Sequence, residues 1–271
     1  MPRWTETRDA FAGSLQNRRL WLIQFLANPI LFLLFVAWLR IPEARIWQLM
    51  LIVLLAAGIV VAALVLHGGT LVYFCDRFRS DSAELKAAFG RALRHVAAIA
   101  VWVCVFYLVF ELAGKLHGYH DQAPTYIRSM LPAFLRRHIT LVAVTRLFDG
   151  FAFVLQWILT PGLLLPFAVS AADRGFSGFG GSGWTTWKTV VRSLQYWGVL
   201  AIAVVLGVLV SGSIIHWTPR SQNPTFTGET ISLVLRFAVA YLLALFSWML
   251  ACSMIGRRCR IPEHAPGDSG V

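Results

Sequence analysis

Charge is scarce in this chain, and acidic charge most of all. Only 14% of its 271 residues are charged, and 13 of them are aspartate or glutamate. A soluble domain carries roughly 25% charged residues, so an ordinary water-facing surface is excluded. Cysteine is scarce too. Cys75, Cys104, Cys252 and Cys259 include no C-x-x-C pair, which excludes a disulfide framework or a cysteine zinc site and leaves buried or surface thiols. Lysine is nearly missing: Lys86, Lys115 and Lys188 stand in a chain of net charge +11, so the basic balance rests on arginine. Catalytic signatures are absent as well. There is no H-E-x-x-H helix and no G-x-S-x-G elbow, and the seven histidines are scattered. His117 and His120, three apart beside Asp121, come nearest to a metal set and read as part of a solvated loop. The chain is expected to be non-enzymatic, with no catalytic residue, no cofactor and no metal.

What the sequence has in abundance is long apolar runs. Hydrophobic residues make up 58% of the chain, against roughly 45–50% in soluble domains. A spanning helix needs about 20 consecutive apolar residues. Six stretches qualify: Leu20–Leu39, Trp47–Phe74, Val96–Gly114, Phe151–Ala172, Trp197–Trp217 and Ile231–Ile255. They are apolar all round rather than alternating, which excludes a membrane β-barrel. The first run is longer than a secretory h-region and no small-x-small cleavage site follows it, so it reads as a retained anchor. The fold class is all-α: a polytopic integral membrane bundle of six spans, a single domain over residues 1–260, with a disordered cytoplasmic tail at 261–271 rich in proline and glycine.

The placement of arginine gives an orientation. With the N-terminus inside, the segments before Leu20, at 75–95, at 173–196 and after Ile255 hold 15 of the Lys/Arg residues, and the outer segments hold eight. The positive-inside rule then places both termini in the cytoplasm. Trp21, Trp38, Trp47, Trp197 and Trp217 fall near predicted helix ends as an aromatic belt. The basic charge is therefore membrane-related, not a nucleic-acid surface, and the expected location is a bacterial cytoplasmic (inner) membrane.

A threefold repeat organises the chain. Arg8-Asp9-Ala10-Phe11-Ala12-Gly13-Ser14-Leu15, Lys86-Ala87-Ala88-Phe89-Gly90-Arg91-Ala92-Leu93 and Trp187-Lys188-Thr189-Val190-Val191-Arg192-Ser193-Leu194 align, each before a pair of spans. The first two returning helices end in Asp76-Arg77 and Asp173-Arg174, and the third in Gly256-Arg257-Arg258. In the middle segment Leu85, Ala88, Phe89, Ala92, Leu93 and Val96 share one helical face, and Asp81 with Glu84 resembles a capping box. Such a helix lies in the membrane interface or packs on the bundle. The loop 115–138 holds a further interfacial helix around Tyr126, Met130 and Phe134, broken or started at Pro132. This layout resembles the membrane domain attached to some bacterial glycerophosphodiester phosphodiesterases and related membrane families, which repeat helix pairs led by short amphipathic helices. The resemblance covers most of the chain and rests on layout. The loops leave no room for a soluble catalytic barrel, so it implies a membrane scaffold and carries over no catalytic residue.

Two sets of charges are candidate sites. Arg18, Arg19, Arg91, Arg94 and Arg192 would hold anionic lipid headgroups at the inner face. Glu111, Arg146, Asp149 and Arg236 lie in or beside the spans, where charge is costly, and would form an outer polar belt. Arg146 and Asp149, three apart, would neutralise each other. Asn28-Pro29, Gly68-Gly69, Pro161-Gly162 and Pro166 are expected to interrupt helices, and Gly178-Phe179-Gly180-Gly181-Ser182-Gly183 reads as a flexible linker. Gly58, Ala62, Ala63, Gly198, Ala201 and Gly207 would allow close helix contacts. The favoured function is a lipid-interacting scaffold or membrane subunit. Its partners would be membrane lipids, anionic ones above all, and a membrane protein or a second copy of the chain. The alternative is a small-solute or lipid transporter that uses the outer charges.

Overall fold

The computed structural model describes residues 3–42, 45–79, 83–217 and 226–259. Within them the chain is helical and contains no strand. A short helix, α1 (Arg3–Gln16), leads α2 (Arg18–Leu39) and α3 (Ile46–Arg79). A second, α4 (Leu85–Arg94), leads α5 (Val96–Gly114), the connecting helices α6 (Gln122–Met130) and α7 (Ala133–His138), and then α8 (Leu141–Phe153) and α9 (Thr160–Arg174). A third, α10 (Gly181–Val191), leads α11 (Leu194–Val204), α12 (Ser211–His216) and α13 (Phe226–Arg258). One π turn, Val154–Leu159, joins α8 to α9, and another, Val205–Val210, joins α11 to α12. The described residues thus contain six continuous helical stretches long and apolar enough to span a membrane: Arg18–Leu39, Ile46–Arg79, Val96–Tyr119, Leu141–Phe179, Leu194–His216 and Phe226–Arg258. The protein is a multi-pass membrane protein.

The outward surface agrees with a lipid solvent. Phe32, Leu33, Leu54 and Leu108 are each more than 60% exposed, on helices of which little is buried. A water-soluble monomer rarely tolerates contiguous apolar patches beyond a few hundred Å². The fourth span starts about ten residues earlier than its apolar run, because Thr140 caps it: its hydroxyl accepts from Ala143 N–H at 3.2 Å. Arg146 and Asp149 therefore lie within a helix rather than before one.

The chain forms two compact units, Met1–Ala100 with Pro166–Val271, and Val101–Leu165. In the first, α1 turns into α2 at Asn17, whose side-chain oxygen accepts from Leu20 N–H at 3.0 Å while its amide donates to the Tyr73 hydroxyl. The last span closes on α1: Ser253 Oγ donates to the Ala10 carbonyl at 2.8 Å, and Arg257 pairs with Asp9 at 2.7 Å. Both ends of the described chain thus meet at one face, called here the terminal face. Small residues bring these helices together. A Cβ at Gly256 would sit 2.7 Å from the Phe74 carbonyl oxygen, and one at Gly68 or Gly69 would sit 2.8 Å from Ile99 or Phe89. Gly68-Gly69 is therefore not a break; α3 runs through it, and the missing side chains admit α4. Among the small residues expected at contacts, Gly207 meets Ser247, whereas Gly58 and Gly198 face open space.

The repeat is visible in burial. Aligned positions Ala10 and Ala88 are fully buried, as are Ser14 and Ala92, while Ser193 at the third equivalent place is 9% exposed. The middle helix packs on α3 through Ala88, Phe89 and Ala92 and leaves Leu93 55% exposed. Asp81 lies outside the described residues, and α4 begins with Glu84 in the cap position without a capping side-chain bond. The glycine-rich segment is not a flexible linker. It forms a 3₁₀ turn, Gly175–Phe179, followed by the start of α10. A Cβ on Gly178 would come within 2.1 Å of the Ser170 carbonyl, and Gly175 takes a φ of +66° against His95, a backbone region that glycine adopts at no steric cost.

Proline breaks are repaired. Pro29 continues α2 and cannot donate to the carbonyl of Phe25; the Tyr241 hydroxyl donates there instead at 3.0 Å. In lipid no water is present to do this, so a neighbouring helix must. In the second unit, Phe110 and Trp157 meet edge to face at 5.0 Å, Gln156 packs over Gly114, and Thr160 Oγ1 donates to the Leu155 carbonyl inside the π turn. The loop 115–138 breaks at Leu131-Pro132, and Arg136 donates to the carbonyls of Ser129 and Leu131, both at 3.0 Å, where α6 ends. Tyr126, Met130 and Phe134 are all more than 60% exposed. The tail at 261–271 lies outside the described residues.

Replacing Gly256 by alanine pushes a methyl group into the Phe74 backbone, which cannot rotate away. Overpacking of this kind costs roughly 1–3 kcal/mol. Thermal unfolding in detergent is expected to show Gly256→Ala less stable than the parent and Gly58→Ala, which meets nothing, at least as stable.

Candidate functional site

The terminal face gathers the most charge. Asp76 lies near the end of α3 and Asp173 near the end of α9, where the helix dipole is negative and a carboxylate is disfavoured. Arg91, from α4, resolves both. One arm of its guanidinium donates to Asp76 and the other to Asp173 Oδ1 at 3.1 Å. Arg79 donates to Asp173 Oδ2 at 3.3 Å and to the Cys259 carbonyl at 3.3 Å, just beyond α13. The two aspartate side chains are 19% and 11% exposed, so these are half-dry charges held by forked, charge-assisted hydrogen bonds. Beneath them the buried thiols of Cys75 and Cys259 lie within hydrogen-bonding reach of each other.

The five arginines expected at lipid headgroups therefore divide. Arg91 is an internal tie. Arg18, Arg19, Arg94 and Arg192 are exposed and have no hydrogen-bond or ion-pair partner among the described residues. Each of the three repeats offers at least one of them beside a projecting leucine: Leu15, Leu93 and Leu194, which occupy the same aligned position, are 57%, 55% and 85% exposed.

The outer charges also have distinct employments. Arg236, in the first unit, donates to the carbonyls of Ile215 and Trp217 where α12 ends; it satisfies backbone groups that would otherwise lack a partner. In the second unit Asp149 accepts from His120, with Nδ1 2.8 Å from Oδ1, instead of pairing with Arg146. Glu111 and Arg146 are exposed. His120 also lies 3.8 Å from Asp121. Among the described residues no three of His, Cys, Asp and Glu are placed to hold a metal ion.

A neutral polar network inside the first unit was invisible to a search for charge. Gln24, fully buried on α2, donates to Thr70 Oγ1 of α3 at 2.6 Å and accepts from Asn28 at 2.9 Å, and Tyr241 of α13 donates to the adjoining carbonyls. Nearby, His67 and Trp248 meet edge to face at 5.2 Å, each with a buried ring nitrogen that lacks a partner among the described residues. The isolated polar letters within apolar runs, Gln24, Asn28 and His67, were the available signal.

Two tests follow from these contacts. Breaking an exposed ion pair costs about 0–1 kcal/mol and a buried one about 3–5; Arg91→Ala should fall between them, at roughly 1–3 kcal/mol in a detergent unfolding assay. Arg91→Lys should not restore the loss, since an ammonium cannot fork between two carboxylates. The hydrogen bond to Asp149, and then its charge, raise the His120 pKa above its ordinary value of about 6.5. A raised folded pKa means the stabilising contact is fully present below the unfolded value and lost as pH climbs through the folded one. Imidazole NMR should show His120 titrating above its ordinary range, and Asp149→Asn should bring it back down. No protein-family model, curated protein sequence or solved structure matches the chain.

Proposed function

We propose that the protein is a lipid-interacting membrane scaffold whose terminal face rests on an anionic, cytoplasmic leaflet of a bacterial inner membrane. The observation that carries this reading is the repeated pairing of a projecting leucine with an arginine that has no partner among the described residues: Leu15 with Arg18 and Arg19, Leu93 with Arg94, Leu194 with Arg192. A leucine more than half exposed at a helix end suits the acyl boundary, and the guanidinium beside it suits a phosphate. The internal arginines are differently occupied, by carboxylates or by helix carbonyls, so the free ones are not simply spare charge. The arginine excess of the segments on this face supports a cytoplasmic orientation by the positive-inside rule. The likeness of layout to repeated-helix membrane domains points the same way, toward a scaffold that organises lipid or a partner rather than one that turns over a substrate.

The test is lipid retention. Protein extracted from membranes of mixed composition should carry phosphatidylglycerol or another anionic phospholipid in excess over neutral ones. Arg18→Gln, Arg94→Gln and Arg192→Gln combined should reduce that excess several-fold, since each removes an attraction of about 1 kcal/mol near an anionic surface, with thermal stability unchanged because none of the three has a partner among the described residues. Retention of neutral and anionic lipid in the bulk ratio by the parent protein would overturn the reading.

A further inference from the structure

At the corner between α1 and α2 the surface opens into a groove of about 470 Å³, lined by Leu15, Arg18, Trp21, Leu22 and Phe25. It is a shallow depression, open along the surface rather than enclosed. Four of the five lining side chains are apolar, and the fifth is an exposed arginine with no partner among the described residues. The groove is built, not incidental. Asn17 caps α2 and sets the corner. Trp21 Nε1 donates to the Ser14 carbonyl at 2.6 Å across that corner, and the Trp21 ring stacks on Phe246 of α13 at 6.4 Å. The indole is thereby fixed as one wall, with its polar edge already engaged. Leu15, Leu22 and Phe25 are 57%, 59% and 43% exposed and leave the opposite side open.

We infer that this groove binds a single anionic phospholipid, its phosphate against the Arg18 guanidinium and the start of one acyl chain along Trp21, Leu22 and Phe25. The inference rests on the lipid-interacting reading and narrows it to one site. Charge complementarity selects the occupant. A neutral apolar ligand would leave the cation unanswered, and a soluble anion would leave the apolar walls against lipid. Among the exposed arginines, Arg18 is the one that lines this cavity, whereas Arg94 and Arg192 stand beside single projecting leucines.

The probe is phosphatidylglycerol bearing a photoactivatable acyl chain, incorporated with phosphatidylcholine into nanodiscs that hold the full chain. Irradiation followed by peptide mapping should label the segment around Leu22 and Phe25 above all others. Native mass spectrometry of the same protein should show one phosphatidylglycerol surviving mild delipidation. Arg18→Gln removes a charge-assisted bond and should lower its occupancy about tenfold. Leu22→Trp fills the groove with charge unchanged and should abolish the labelling. Arg146→Gln, an exposed arginine of the second unit that does not line the groove, should leave both readouts intact. If phosphatidylglycerol is retained but the label falls elsewhere, or Arg18→Gln and Leu22→Trp bind as the parent does, this site is wrong while the wider lipid reading stands. If the parent retains no anionic lipid at all, the wider reading falls and takes this site with it. Equal labelling by phosphatidylcholine and phosphatidylglycerol probes would overturn the role of Arg18. Because the labelling experiment needs only the parent protein, a variant that fails to fold does not shield the proposal.

Discussion

Arg91 holds two carboxylates that its own helix does not supply. Asp76 and Asp173 end returning helices, and each faces the negative pole of its helix, so neither would be placed there for local reasons. Their value lies in the bridge. α4 crosses the terminal face carrying a guanidinium to both, while Gly68 and Gly69 let its Ala92 and Phe89 sit directly on α3. Ion pair and close packing depend on each other: without the glycines α4 stands off and the fork cannot reach, and without the fork Asp76 loses its counter-charge and Asp173 one of its own. Arg79 extends the arrangement to the carbonyl after α13. The aspartates of the recurring Asp-Arg pairs thus tie helix ends together, through Arg91 and Arg79.

Deeper in the bundle the constraint changes from charge to backbone satisfaction. Tyr241 answers the carbonyl that Pro29 leaves free, Thr160 answers one in a π turn, and Ser211 reaches both the Leu206 and Ala240 carbonyls. Arg236 answers two at the end of α12. These residues look like functional polar letters in an apolar run. Most of them serve helices that bend or end where no water is present to solvate the freed groups.

This explains which parts of the sequence were readable. The spans were, because hydropathy over 20 residues is a large signal, and so was the repeat, because it reuses small residues at buried positions such as Ala10, Ala88, Ser14 and Ala92. The first turns of α8 were not, because Thr145, Arg146 and Asp149 dilute the apolar run there. The glycine-rich segment misled in the opposite sense: its composition suits a linker, and only the approach of the Ser170 carbonyl to Gly178 reveals a packed turn. Arg91 could not be told from Arg94 by type or neighbourhood; the recurring aspartates carried the information, but a three-dimensional partner was needed to use it. Arg236 was opaque for a plainer reason. Its acceptors are main-chain carbonyls, which every residue has and no sequence displays.

The three leading helices use one pattern for two tasks. In α1 and α4 the aligned small residues Ala10, Ser14, Ala88 and Ala92 are buried, whereas Thr189 of α10 is exposed; the leucine that closes each aligned motif faces out. In α4, Ala88 and Ala92 are fully buried and Phe89 packs over Gly69, while Leu93 is 55% exposed. Leu15, at the same place in α1, also faces out, and Leu194, the first residue of α11, is the most exposed of the three. A structure that merely needed stability could have carried a polar residue in place of these leucines, at less cost in any aqueous rim. Their recurrence in three aligned segments, each near an arginine with no partner among the described residues, is the observation on which the proposed lipid partner rests.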